Sequence, residues 1–173
     1  MMRALLAVVD RVSVLLAAIA ALLTVTIGVM ILGEVVARAV FNYSLSFAWE
    51  YSAYAMGVAM FCGAAFTLRT GGHIRVSLLA SHLPPPAAKL LDVACTVFAI
   101  GIAGYMTYAL GQLAWDSFER GSTSATISAT PLAIPQGAIT LGAALLTVQL
   151  VARLVRLIIG DEPELDTGGY QVD

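Results

Sequence analysis

Four long stretches of the chain carry no charged side chain, and charges punctuate their ends. Val12–Gly33 lies between Arg11 and Glu34, Tyr51–Leu68 between Glu50 and Arg69, and Val93–Trp115 between Asp92 and Asp116. The fourth lies inside Gly121–Ala152, with its apolar part at about 132–152. A bilayer core is crossed by roughly 20 apolar residues, each rising about 1.5 Å along a helix. Lipid offers no partner for backbone N–H and C=O groups, so each stretch predicts a helix. The second is the shortest, and Arg69 at its end is expected to snorkel to the interface. The first is too long for the apolar part of a signal peptide and leads into more apolar sequence, so it is expected to remain as a helix. The pattern predicts an all-α membrane protein. Its four spans run over about 12–36, 51–68, 88–116 and 132–156, within one domain over 1–160.

The connections carry patterns of their own. "FNYSLSFAWE" is short and aromatic and predicts a segment lying flat among headgroups. "HIRVSLLASHLPPP" mixes Ile74, Val76, Leu78, Leu79 and Leu83 with Arg75, Ser81 and His82. It predicts a short interfacial helix capped at Ser77 and ended by Pro84–Pro86, which also start the third span. The third helix is expected from about Ala87 to Phe118, longer than one crossing, so tilt or protrusion follows. "GSTSATISATPLAIP" reads as a polar loop or half-inserted segment. Residues 161–173 form an acidic tail, expected to be disordered.

Composition strengthens the membrane reading. Of 173 residues 60% are apolar or aromatic and 12% charged, against about a quarter charged in soluble domains; mean hydropathy is +0.89. The pI of 5.6 reflects the acidic tail more than the spans. Nothing resembles a nucleic-acid motif.

Basic residues orient the chain. With the N-terminus in the cytoplasm, Arg3, Arg11, Arg69, Arg75, Lys89, Arg153 and Arg156 lie inside, and only Arg38 and Arg120 outside. Both termini are therefore expected to be cytoplasmic. Phe41, Tyr43, Phe47, Trp49 and Tyr51 cluster at one outer boundary, and Trp115 and Phe118 at another, as an aromatic belt requires.

Candidate chemistry is sparse. Glu34 and Arg38 are spaced for a modest ion pair on one helix. Glu50 has three readings: a charge favoured by its helix N-terminus, a partner of Arg38 fixing the first turn, or an ion ligand. His73 and His82 are too far apart in sequence for one metal site on a helix. Cys62 and Cys95 sit in apolar runs and are expected as buried free thiols. No nucleophile elbow, phosphate loop, zinc motif or dinucleotide fingerprint occurs, so no enzyme activity and no cofactor are expected. No span carries a charge at its centre, where ion-moving transporters usually place ligands. Small residues recur at four-residue spacing: Ala20, Thr24, Gly28; Ala59, Gly63, Thr67; Thr107, Gly111. They suit close helix packing, within the unit or against another membrane protein.

In their order along the chain these residues resemble the small, Q-type permease subunit of tripartite ATP-independent periplasmic (TRAP) transporters. The resemblance rests on Arg38 and Phe41 after the first span and on "SFAWE" with Trp49 and Glu50. It continues through "GAAFTLRTGGHIRV" with Gly63, Arg69 and His73, and "TPLAIPQGAITLG" with Pro131, Pro135 and Gly142. Ser77 stands where that family often has an acid. The resemblance implies a scaffold for a large M-type permease subunit, which holds the substrate and sodium sites. It also implies a periplasmic binding protein that delivers an organic acid, uptake driven by sodium, and a place among the lipids of the bacterial inner membrane. Two other classes compete. A small proton antiporter would want an acid in the middle of its first span, and Ala20–Val25 has none. A redox-complex anchor would want histidines inside spans, and both lie in one connection.

Overall fold

The computed structural model describes residues 2–71 and 83–161. It contains α1 (Met2–Phe41), α2 (Ser46–Arg69), α3 (Pro85–Glu119) and α4 (Ala133–Ile159), and no strand among the described residues. All four helices are long and apolar enough to cross a membrane. His73, Arg75, Ser77, the interfacial helix expected around them and the acidic tail from residue 162 lie outside the described residues.

Each helix outlasts the apolar run that predicts it. The 40 residues of α1 reach about 60 Å, twice the hydrocarbon thickness, so α1 must tilt or project. α3 opens with two prolines in its first turn, where the missing N–H costs nothing. It ends at Gly121, whose φ of 60° lets Ser122 N–H reach back to Ser117 O at 2.9 Å. Pro135 sits in the first turn of α4 on the same principle.

The connection between α1 and α2 differs from expectation. "SFAWE" does not lie flat; Ser46–Glu50 form the first turns of α2. Only residues 42–45 link the two helices, with Asn42 at φ 51° making the reversal, a region Asn tolerates better than most residues. No separate helix fits into so short a link.

In space the helices form a row, α1–α2–α4–α3. α1 packs on α2, α2 on α4, and α4 on α3; α1 brushes α4, and α3 reaches neither α1 nor α2. The molecule is thus two antiparallel hairpins, α1–α2 and α3–α4, joined through the parallel neighbours α2 and α4. The join is close. A Cβ on Gly142 would stand 2.8 Å from both the carbonyl carbon and the Cβ of Phe61 and 3.0 Å from the Cys62 nitrogen. Only glycine admits that approach. One on Gly57 would meet Ile139 Cδ1 at 2.9 Å.

The small-residue stripes divide. Ala20 is buried and faces Gly63, whose added Cβ would lie 3.7 Å from it. Thr24 and Gly28, expected on the same stripe, are exposed. Thr107 bonds Thr147 at 3.0 Å, and Gly111 faces Thr140, both between α3 and α4. Cys62 is buried, but Cys95 is exposed on α3, contrary to expectation; it points away from α4, the helix that α3 packs on among the described residues.

Candidate functional site

The polar groups gather at the two ends of the row. One end, the turn end, carries the α1–α2 link and the α3–α4 loop. The other, the termini end, carries the start of α1, the end of α2, the start of α3 and the end of α4.

At the turn end Glu34 is the organising group of the first hairpin. Its residue is 4% exposed. The ion pair with Arg38 expected from the spacing forms, with Arg38 Nε 3.2 Å from Glu34 Oε1. The same oxygen accepts Ser44 Oγ at 2.9 Å, and the other accepts the Leu45 backbone N–H. Leu45 is the residue before α2 and has no side-chain cap of its own. A carboxylate from α1 therefore satisfies a donor at the start of α2, as a cap would.

Glu50 points elsewhere. It does not pair with Arg38, one of the three readings open from sequence. Its Oε1 accepts Tyr54 OH at 2.9 Å, and its Oε2 accepts the Thr126 hydroxyl. Thr126 belongs to the α3–α4 loop, so Glu50 fastens the second hairpin to the first. Thr130 adds a bond to Tyr51 OH at 3.3 Å. The loop is itself braced: Thr123 bridges Pro131, Ser124 N–H bonds Thr130 O at 2.9 Å, and Leu132 N–H bonds Ser122 O at 3.0 Å. At its apex Ile127 is 93% exposed. Trp49, next to Glu50 in the chain, is largely exposed.

The termini end holds a network that sequence reasoning missed. Asp10 of α1 accepts Arg156 Nη2 at 2.8 Å and Gln149 Nε2 at 3.0 Å, both from α4. Its other oxygen accepts Arg69 Nε from α2 at 3.2 Å. Beside it Arg153 of α4 forks onto Asp92 of α3 at 2.8 and 3.0 Å and donates to Thr96. All four helices meet here. Arg69 does not snorkel outward; its side chain is 11% exposed and turned onto Asp10. Arg153 and Arg156 are as deeply held, at 6% and 4%. Charges so buried are tolerated only when paired.

The signal was present in the spacing. Gln149, Arg153 and Arg156 fall at i, i+4 and i+7 on one face of an apolar helix. Asp10 shares a face with the buried Leu6 and Ser13. A count of basic residues by side of the membrane ignores acids and so passed over both.

Gly63 lies against Ala20 between α1 and α2. Pro131 is exposed in the braced loop, whereas Pro135 and Gly142 are buried on α4. His73 lies outside the described residues. Arg38, Glu50 and Pro131 lie at the turn end but are not brought together: Arg38 holds Glu34 and Ser44, Glu50 holds Tyr54 and Thr126, and Pro131 bridges Thr123.

Charged groups at both ends, an apolar close-packed middle and four crossing-length helices define a multi-pass helical membrane protein. Its described charges mostly serve to hold its own helices together. Residues 27–160 match the family model described as tripartite ATP-independent periplasmic transporters, DctQ component. That is most of the chain, and the protein belongs to this family: it is a small membrane subunit of a TRAP transporter, a component that works with other TRAP subunits and not a member of an enzyme family. Comparison with curated proteins gives no match.

Proposed function

We propose that the chain is the static membrane scaffold of a sodium-coupled TRAP transporter that takes up an organic acid. The large M-type permease subunit packs against it and carries the substrate and sodium sites. Both termini face the cytoplasm of a bacterial cell, and the protein lies in the inner membrane. The termini end, with its arginines, is the cytoplasmic end. The turn end faces the periplasm, where the braced loop with Ile127 at its apex helps dock the binding protein.

The observation that carries this reading is where the described charges are used. Asp10, Asp92, Arg69, Arg153 and Arg156 are bound to one another at one end, and Glu34, Arg38 and Glu50 are engaged at the other. Mid-depth is occupied by the Gly142–Phe61 contact. A unit held at both ends and close-packed between them suits a fixed platform against which another domain moves.

Reconstitution into liposomes with a sodium gradient tests it. The chain alone gives no uptake of a carboxylate substrate; with the large subunit and the binding protein it does. Substrate accumulation by the small chain alone would sink the scaffold reading and revive the antiporter class.

A further inference from the structure

The two outer helices of the row leave different faces open. On α1 the open face is aliphatic, with Leu22, Val25, Val29 and Leu32 exposed. Its hydroxyls are already satisfied: Thr24 and Thr26 each bond the carbonyl four residues back at 2.9 Å. Such a face needs nothing but lipid. α3 is different. It packs on α4 through Thr96, Ala103, Thr107 and Gly111, and its opposite side carries Phe98, Gly101, Tyr105, Tyr108 and Gln112. These fall at alternating steps of three and four, which place them on one line along the helix, as in a coiled-coil seam. Phe98, Tyr105 and Tyr108 are 72%, 74% and 65% exposed. Gly101 has nothing within 4 Å of the place a Cβ would take, so the seam has a gap beside its aromatic knobs.

Depth makes this seam informative. Asp92 and Asp116 bound the uncharged part of α3 and lie about 36 Å apart along the helix. Tyr105 sits next to the midpoint, Tyr108 about 6 Å beyond it, and Gln112 about 12 Å beyond it. The hydrocarbon half-thickness is about 15 Å. Tyrosines that face lipid belong at the interface, where the hydroxyl is wet. Here two phenols and an amide occur on one exposed line within the hydrocarbon zone, and none of the three finds a hydrogen-bond partner among the described residues. Polar groups left so in hydrocarbon are costly.

We propose that this seam of α3 is the docking face for the large permease subunit, which presents hydrogen-bonding side chains or exposed carbonyls opposite Tyr105, Tyr108 and Gln112. The inference rests on the scaffold reading and adds which face is used and by what chemistry. Hydrogen-bond complementarity selects the occupant: lipid tails have no acceptors, and a membrane-embedded protein does. Gly101 gives a partner helix room to approach, and the aromatic residues give it area.

The test uses the assembled complex. A photo-crosslinking residue is placed at Tyr105 or Tyr108, and in separate variants at Val25 or Val29 on α1. Crosslinks to the large subunit are expected from α3 and not from α1. A triple variant, Tyr105→Phe, Tyr108→Phe and Gln112→Leu, keeps the fold, because none of the three side chains bonds another of the described residues. Its own yield is unchanged, while retention of the large subunit through detergent washing falls about ten-fold, three membrane hydrogen bonds of ordinary strength being lost. Crosslinks from α1 alone, a product of two small chains, or full retention by the triple variant would each overturn the proposal and leave the scaffold reading standing. Failure of the large subunit to copurify with the unaltered chain would bring down both.

Discussion

Asp10 concentrates more consequence than any other side chain. Three donors from two other helices converge on its carboxylate. Asp10→Asn removes the carboxylate charge that two buried arginines, Arg156 and Arg69, share, a loss of about 3 kcal/mol on the usual scale for breaking such a pair. A lower melting temperature in detergent is the expected readout; an unchanged one would show that the arginines find other partners. Gly142 and Gly63 give a paired prediction. Gly142→Ala forces backbone apart at 2.8 Å and should cost about 1–3 kcal/mol, as overpacking does. Gly63→Ala meets Ala20 at an ordinary 3.7 Å and should be nearly silent in the same assay, whereas Gly63→Leu should not. Glu50→Gln weakens the hold on Thr126. It should lower the amount of assembled complex and leave sodium dependence of the remainder unaltered; normal assembly with a changed sodium requirement would instead make Glu50 an ion ligand.

For the helices, sequence reading and structure agree on what hydropathy controls and part where tertiary contacts decide. The four helices were legible because lipid forbids any other backbone arrangement for long uncharged runs. Helix ends were less so. Ser46–Glu50 read as part of a short aromatic segment lying flat among headgroups, yet they coil, with Glu34 from another helix satisfying the Leu45 N–H at their start. The Glu34–Arg38 pair was legible because it is local. The partner of Glu50 was not, since Thr126 is distant in sequence and no local pattern selects it. Arg69 was misjudged for the same reason: snorkelling is what a lone arginine does, and this one is met by Asp10. Labelling tests the orientation of the elements. Single cysteines at Ser122 and Thr167, in a background lacking Cys62 and Cys95, should react oppositely. The first should label with an impermeant thiol reagent from outside and the second should not; the reverse would invert the topology.

Across the whole molecule, the two hairpins are joined at three depths. Glu50 and Tyr51 hold the α3–α4 loop at one end, Gly142 meets Phe61 in the middle, and Asp10 takes Gln149 and Arg156 at the other. Each of these joins links residues on opposite sides of the segment between Gly71 and Leu83, and each hairpin is closed by its own local pairs. Continuity of the polypeptide across that segment is therefore not what sets the arrangement. The ribosome could deliver the protein as two separate chains, broken between those residues, and the halves should find each other in the membrane and copurify. Introducing Asp10→Asn or Gly142→Ala into the divided protein should cut recovery of the pair far more than it does in the intact one, because covalent linkage no longer supplies the high local concentration. Halves that never associate would mean that the unbroken connection between Gly71 and Leu83, and not the three joins, holds the row together.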